Sequence, residues 1–207
     1  MKLLFIKGSP RGASSQSTKV AEAFLTAYRS KNPGAKIDEL DLWQTPLPEF
    51  DGDRAAAKMS FFGEGTLKGA GKTAWDEIVS ITNRFTSADD YLFTVPMWNG
   101  GIPYRLKLYI DIITQPGLLF GFDPAAGSSG LLKGKRATAL YTSGVYAPGV
   151  PRSFGTDHHS TYFDDWLRFI GITDITTVRF QPTLLTNDPA GGLKQAQSEA
   201  TKEADGR

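Results

Sequence analysis

Apolar and polar positions follow one another along this chain in two rhythms. Lys2–Lys7 (KLLFIK) is a compact apolar run closed by Gly8-Ser9-Pro10, which predicts a short buried strand. From Thr18 to Ser30, the residues Val20, Ala21, Phe24, Leu25 and Tyr28 recur at helical spacing until Asn32-Pro33-Gly34 stops the pattern. Ala35–Leu42 then sets Ile37, Leu40 and Leu42 among polar residues, as a second strand does. Strand, polar loop, helix, turn and strand make one βαβ unit.

The same alternation continues to the end. A Pro-punctuated loop, Trp43–Asp53, leads through a weakly apolar stretch and the glycine-rich Gly63–Gly71 to a helix marked by Trp75, Ile78, Val79, Ile81, Thr82 and Phe85. Tyr91–Pro96 (YLFTVP) reads as a buried strand and Met97–Pro103 as the loop leaving it. Pro103 begins a helix with Leu106, Tyr109, Ile110 and Ile113 inward. Leu118–Phe122 suggests a small hairpin arm, Ala137–Thr142 a fourth strand, Tyr162–Ile170 a helix ended by Gly171, and Ile175–Phe180 a last strand. The tail after Asn187 reads as a polar, partly frayed helix. Five strands alternating with helices, without a long linker or repeat, predict one α/β domain over residues 1–207: a doubly wound, mostly parallel sheet with helices on both faces. Such sheets bind ligands at the carboxyl ends of their strands, which directs attention to Gly8–Ser17, Met97–Pro103 and Ser143–His159.

Composition narrows the chemistry. The chain has no cysteine, which excludes disulfides, thiolate nucleophiles and iron–sulfur clusters. Its two histidines are adjacent, His158 and His159, so no metal site is expected. A formal net charge of +1 argues against capture of nucleic acid or an acidic membrane. No apolar run approaches the roughly 18 residues of a membrane span, and the first strand is too short for a signal-peptide core. A soluble, cytoplasmic protein is the expectation.

The first loop carries the strongest physical signal. Ser9, Ser15, Gln16 and Ser17 stand between a strand and the first turn of a helix, where unpaired N–H groups and the helix dipole favour a phosphate. The alternative is that Ser15 or Ser17 is only an N-cap. No G-x-G-x-x-G is present, so a mononucleotide phosphate fits better than a dinucleotide. Gly71-Lys72-Thr73 resembles the end of a P-loop, but the first glycine of that motif would fall on Thr66. At the third strand's end, Pro96-Met97-Trp98-Asn99-Gly100 offers a flat aromatic and an amide to a ring system, or else a turn with Trp98 as core filler. At the fourth strand's end, Ser143-Gly144-Val145-Tyr146 is a further small-residue loop with an aromatic. The His158-His159 pair reads as satisfied or solvated, with a mobile loop beside the slot as the alternative.

Ser9 with Ser15-Gln16-Ser17, the PMWN stretch, Leu106-Lys107 with Asp111, and Phe169–Asp174 (FIGITD) together resemble the FMN-dependent NADH-azoreductases, relatives of the NAD(P)H:quinone oxidoreductases. The resemblance runs from Met1 to about Phe180. It implies a flavodoxin-like fold with strand order 2-1-3-4-5, a homodimer, and one FMN at each interface. It places Ser9 and Ser15–Ser17 at the FMN phosphate, and Pro96, Met97, Trp98, Asn99 and Gly100 at the isoalloxazine, with Trp98 where relatives usually have Tyr. Ser143, Gly144, Val145 and Tyr146 fall beside the dimethylbenzene and pyrimidine side, in a loop one residue shorter than usual. Phe120 falls where relatives place a partner aromatic over the ring, so Trp98, Phe120 and Tyr146 become the substrate-stacking residues. The implied activity is ping-pong hydride transfer from NADH or NADPH to a quinone or azo compound. The chemistry lies on the flavin, and Asn99 assists electrostatically. A flavodoxin-like electron carrier and a non-flavin phosphate module are the alternatives; the absence of strong acidity speaks against the carrier.

Overall fold

A computed structural model describes all residues, 1–207. In chain order the elements are β1 (Lys2–Lys7), α1 (Gln16–Lys31), β2 (Lys36–Asp41), α2 (Gly52–Met59), α3 (Gly69–Thr86), β3 (Asp90–Pro96), α4 (Tyr104–Ile113), β4 (Phe120–Asp123), β5 (Gly127–Gly130), β6 (Arg136–Thr142), α5 (Ser160–Phe169), β7 (Asp174–Phe180) and α6 (Pro189–Asp205). Five strands form a parallel sheet in the order β2-β1-β3-β6-β7, and β4 pairs with β5 as a separate antiparallel hairpin. With the hairpin set aside, this is the strand order the sequence resemblance implies.

The sheet's central strands are apolar on both faces because helices cover both. Every residue of β3 is buried, and Leu3, Leu4, Phe5 and Ile6 of β1 are at most 2% exposed. One core packs α2, α3, α4 and α5 against one face through Trp75, Ile78, Phe85, Tyr109 and Trp166. The other packs α1 and α6 through Val20, Phe24, Tyr28, Ala196 and Ala200.

Two expectations need correction. The tail is not frayed: α6 packs on α1 with Ala196, Ala200 and Ala204 buried at every fourth position. A stripe of alanines fits closely against a neighbouring helix yet barely registers as apolar periodicity. Asp53 belongs to α2 rather than to a loop, because the Asp51 carboxylate caps the Arg54 N–H at 3.1 Å. The aromatics of Tyr162–Ile170 are mostly core, with Phe163, Trp166, Leu167 and Ile170 at most 5% exposed. The glycine of FIGITD also has its reason here. Gly171 has φ +101°, and a side chain on it would strike the Leu132 carbonyl at 2.7 Å, where the segment after β5 crosses the end of α5.

Candidate functional site

At the carboxyl end of β1 the chain turns so closely past β3 that Gly8 must lack a side chain. Its N–H bonds the Thr94 Oγ1 at 3.0 Å, and a Cβ there would lie 2.5 Å from the Thr94 carbonyl oxygen. The loop then enters α1 at Ser15, whose hydroxyl accepts from the Thr18 N–H at 3.5 Å, so the N-cap reading holds for Ser15. Ser15 Oγ also lies 2.9 Å from Ser17 Oγ. Ser17 is fully buried behind the loop rather than facing it. Of the two paired hydroxyls, one hydrogen is used between them and one is left. The first-turn N–H groups of Gln16 and Ser17 have no intrahelical acceptor, the buried Gln16 Oε1 has no partner, and Arg11 stands at the rim.

At the end of β3, Trp98 and Gly101 exchange backbone hydrogen bonds of 2.9 and 3.0 Å around Asn99 (φ +51°) and Gly100 (φ +83°). Asn-Gly at the centre of a two-residue turn with both φ positive is the type I′ preference. The turn leaves Trp98 46% exposed, which removes the core-filler alternative. Met97 N–H reaches across to the Thr142 carbonyl at 2.7 Å, tying this loop to the end of β6.

These loops meet in one polar cavity of about 320 Å³. Ser9, Ser15 and Gln16 line it from β1, Pro96, Met97 and Trp98 from β3, and Ser143 and Gly144 from β6. Sequence reasoning passed over four further lining residues: Arg11, Thr142, Thr183 and Leu184. Arg11 is the only cation of its loop and was legible as a phosphate partner. Thr183 and Leu184 carry no motif; they arrive because β7 lies beside β6.

Other expected residues stand elsewhere. Asn99 and Gly100 form the outer turn rather than the cavity wall, since their positive φ carries the chain away from the strand end. Val145 is exposed outside the cavity. Tyr146 is half-buried beyond it: its carbonyl accepts from Ser143 Oγ, and its ring lies against Gly155. Phe120 is buried, with its ring 5.0 Å from Phe169 and Lys58 Nζ 5.8 Å above it; Phe122, 53% exposed, is the aromatic that β4 presents outward.

The histidine pair divides. His158 is exposed, and its N–H bonds the Gly100 carbonyl at 3.1 Å. His159 is fully buried with Nε2 on the Val95 carbonyl and its ring edge-on to Tyr141. Burial pushes its pKa down to about 4, against the opposing pull of the Val95 hydrogen bond. It is neutral at pH 7 and supports the loop at the end of β3. Burial alone would raise the Asp157 pKa, but hydrogen bonds from Ser160 Oγ and from the Ser160 and His159 N–H groups bring it below the usual value.

A doubly wound parallel sheet with an open helix start at one strand end and a half-exposed aromatic at the next defines a flavodoxin-like protein. The chain belongs to the family described as having a flavodoxin-like fold, which it matches over residues 1–204. It is 56% identical, over 97% of its length and 98% of the relative's, to an FMN-dependent NADH:quinone oxidoreductase of Ruegeria pomeroyi. A protein of the same description from Desulfotalea psychrophila is 45% identical over 88% of this chain and 86% of its own. The crystal structure of an azoreductase from Bacillus anthracis superposes with a TM-score of 0.90 at 27% identity, covering 100% of both chains. An FMN-dependent NADH-azoreductase from the same species, in complex with FMN, gives 0.85 at 28% identity, covering 99% of this chain and 98% of its own.

Proposed function

We propose that this protein is an FMN-dependent NAD(P)H oxidoreductase acting on quinones or azo compounds, with residues 1–207 as one FMN-binding domain. The observation that carries the reading is the single cavity that joins an unpaired helix start and Arg11 at one end to the exposed Trp98 at the other. Its donors suit a phosphate monoester: two N–H groups, a spare hydroxyl hydrogen and a guanidinium. Its other end suits a flat, partly apolar ring. When bound there, FMN supplies two-electron hydride chemistry between NADH or NADPH and the acceptor.

The chain's own residues bind and orient. Gln16 and Ser17 N–H groups, Ser9, Ser15 and Arg11 hold the phosphate. Met97 and Trp98 form one flank of the ring slot, with Ser143 and Gly144 as its floor. Asn99 and Gly100 shape the turn that aims Trp98, and the reading gives the Asn99 amide an electrostatic role toward the reduced flavin. Val145 and Tyr146 act from outside the cavity, supporting the β6 loop. No acid–base pair faces the cavity, so the protein contributes positioning and electrostatics rather than a proton relay.

The reading includes a homodimer. The faces of α4 and α5 beside the cavity carry Tyr104 at 69% and Phe169 at 37% exposure, and Phe50, Ile102, Leu108 and Tyr162 line an adjoining hollow. Those apolar side chains, with the Lys107–Asp111 ion pair and His158 among them, offer a mixed surface to a second copy. The reading also places the enzyme in the cytoplasm; no helix of the chain is long and apolar enough to cross a membrane.

The test is the absorbance spectrum of the purified protein, followed by NADH and NADPH oxidation with menadione. A yellow protein that turns over quinone with parallel double-reciprocal lines is the expected result, since donor and acceptor need the same near-contact position. A protein that takes up FMN and is reduced, yet turns over no quinone or azo dye, is a carrier. A protein that cannot be loaded with FMN ends the reading.

A further inference from the structure

The loop between β7 and α6 shares no motif with the rest of the site, yet three backbone hydrogen bonds fasten it there. Thr183 N–H bonds the Ser143 carbonyl at 2.8 Å, and the Leu184 and Leu185 N–H groups bond the Gly144 carbonyl at 2.8 and 3.1 Å. The segment is therefore fixed against the loop that forms the cavity floor. Leu184 is nevertheless 78% exposed, more than any other large apolar side chain in the molecule. A scattered exposed leucine needs no explanation. This one is held at a cavity whose only other large apolar walls are Met97 and Trp98.

We infer that Leu184 is the apolar wall on which the isoalloxazine ring of bound FMN seats, facing Trp98 across the cavity. The inference rests on the FMN reading above and adds a fourth strand end to the site. Trp98 follows β3 and Leu184 follows β7, with β6 between them in the sheet. Two strand spacings put the loops about 10 Å apart, room for a flat ring between the two side chains. Gly144 belongs to the same arrangement: a Cβ there would meet Leu184 Cδ1 at 3.1 Å, so the small residue lets Leu184 lie over the floor. Leu185, 53% exposed, is fastened to the same carbonyl but does not line the cavity, which makes it an internal control.

The test is FMN titration of apoprotein, read by quenching of flavin fluorescence, on wild type, Leu184→Ala, Leu184→Ser and Leu185→Ala. Removing the isobutyl group from the ring's wall should weaken FMN about tenfold, with Ser at least as weak as Ala. Leu185→Ala should stay within about twofold of wild type, below the loss of a single buried methylene. Thermal melting of the apoproteins should coincide, because the side chain is exposed before the ring arrives. An unchanged Kd in the Leu184 variants overturns the inference while the FMN reading stands. So does an unchanged Kd with a raised KM for menadione, which would assign the wall to the acceptor. Wild-type apoprotein that binds no FMN overturns both.

Discussion

Strand β3 begins and ends in opposite environments. At its first residue, Asp90 is fully buried, with Arg136 at 3.0 Å and Arg207 at 2.9 Å; Arg207 also donates to Thr138 Oγ1 at 2.7 Å. On the far side of β1, Asp38 of β2 joins Lys2 at 3.0 Å and Arg84 at 2.7 Å. After the strand's last residue, Pro96, the chain leaves an exposed indole, unpaired N–H groups and a positive-φ turn. The amino-terminal end closes its polar groups on one another. The carboxyl-terminal end keeps its own available, and four loops converge on one cavity. With the proposed FMN site at the open end, stability and ligand binding are assigned to opposite ends of the same strands, and substitutions at the two ends should change different measurements.

The largest effect should come from the closed end. Asp90→Ala removes the one carboxylate between two guanidiniums, of which the Arg207 side chain is only 4% exposed. Breaking a buried ion cluster by removing one partner costs about 3–5 kcal/mol, because the remaining charge is left without compensation. Urea unfolding should show that loss, while the FMN Kd of the folded fraction stays at the wild-type value. A weakened Kd in Asp90→Ala would mean that the two ends are coupled.

The same contrast explains what could be read in advance. The strands of the closed core, Lys2–Lys7 and Tyr91–Pro96, announce themselves because burial on both faces demands continuous apolar runs. The Gly8–Ser17 loop and the Asn99-Gly100 turn were legible because their chemistry is local. Leu184 was not, since its place depends on β7 pairing with β6, a contact between distant segments. Phe120 was assigned to a partner's site from the resemblance, but within its own chain it is taken up by Phe169. The burial of α6 by an alanine stripe, and the start of α2 at the Asp51 cap, rest on packing and capping too slight to stand out in a hydropathy pattern.

Acid should separate the two ends in order. His159 has a folded pKa of about 4 against an ordinary 6.5, so between those values the unfolded chain binds more protons and stability falls as pH falls. The loss is on the order of 3 kcal/mol by pH 4. At the closed end, the hydrogen bond from Arg84 leads in drawing the Asp38 pKa down to about 2 from 3.8; its contribution is present above 3.8 and is lost as pH falls toward 2. Urea titrations of His159→Gln should be flatter than wild type between pH 6.5 and 4 only, and those of Asp38→Asn below pH 4 only. Identical slopes in wild type and His159→Gln would remove the buried imidazole from the account.

At the open end, Arg11→Glu should weaken FMN about 100-fold, since the phosphate exchanges an attraction for a repulsion. Arg11 is exposed and its guanidinium makes no ion pair or hydrogen bond within the chain, so the apoprotein's melting temperature should not change. Raising the salt should weaken wild-type binding and have the opposite effect on the variant. A variant with wild-type affinity would move the phosphate away from Arg11.

The smallest effect is expected at Trp98, with Phe93 of the same segment as its buried counterpart. Phe93 is fully buried against Phe163 at a centroid distance of 5.0 Å, and its truncation to alanine should cost about 3–5 kcal/mol of stability. Trp98 is 46% exposed, so folding recovers only part of what burial of its ring could supply. In the proposed site the exposed part of the ring is covered only when a flat ligand arrives, and that part of its energy belongs to binding. The backbone of its turn is set by Asn99-Gly100 and the paired bonds of Trp98 and Gly101, which alanine preserves. Trp98→Ala should therefore raise the FMN Kd about tenfold and cost less stability than Phe93→Ala. Trp98→Phe should recover most of the affinity, because a face remains to stack on. If Trp98→Ala instead unfolds like Phe93→Ala, the indole belongs to the core, and the division between the two ends of β3 falls later in the chain than Pro96.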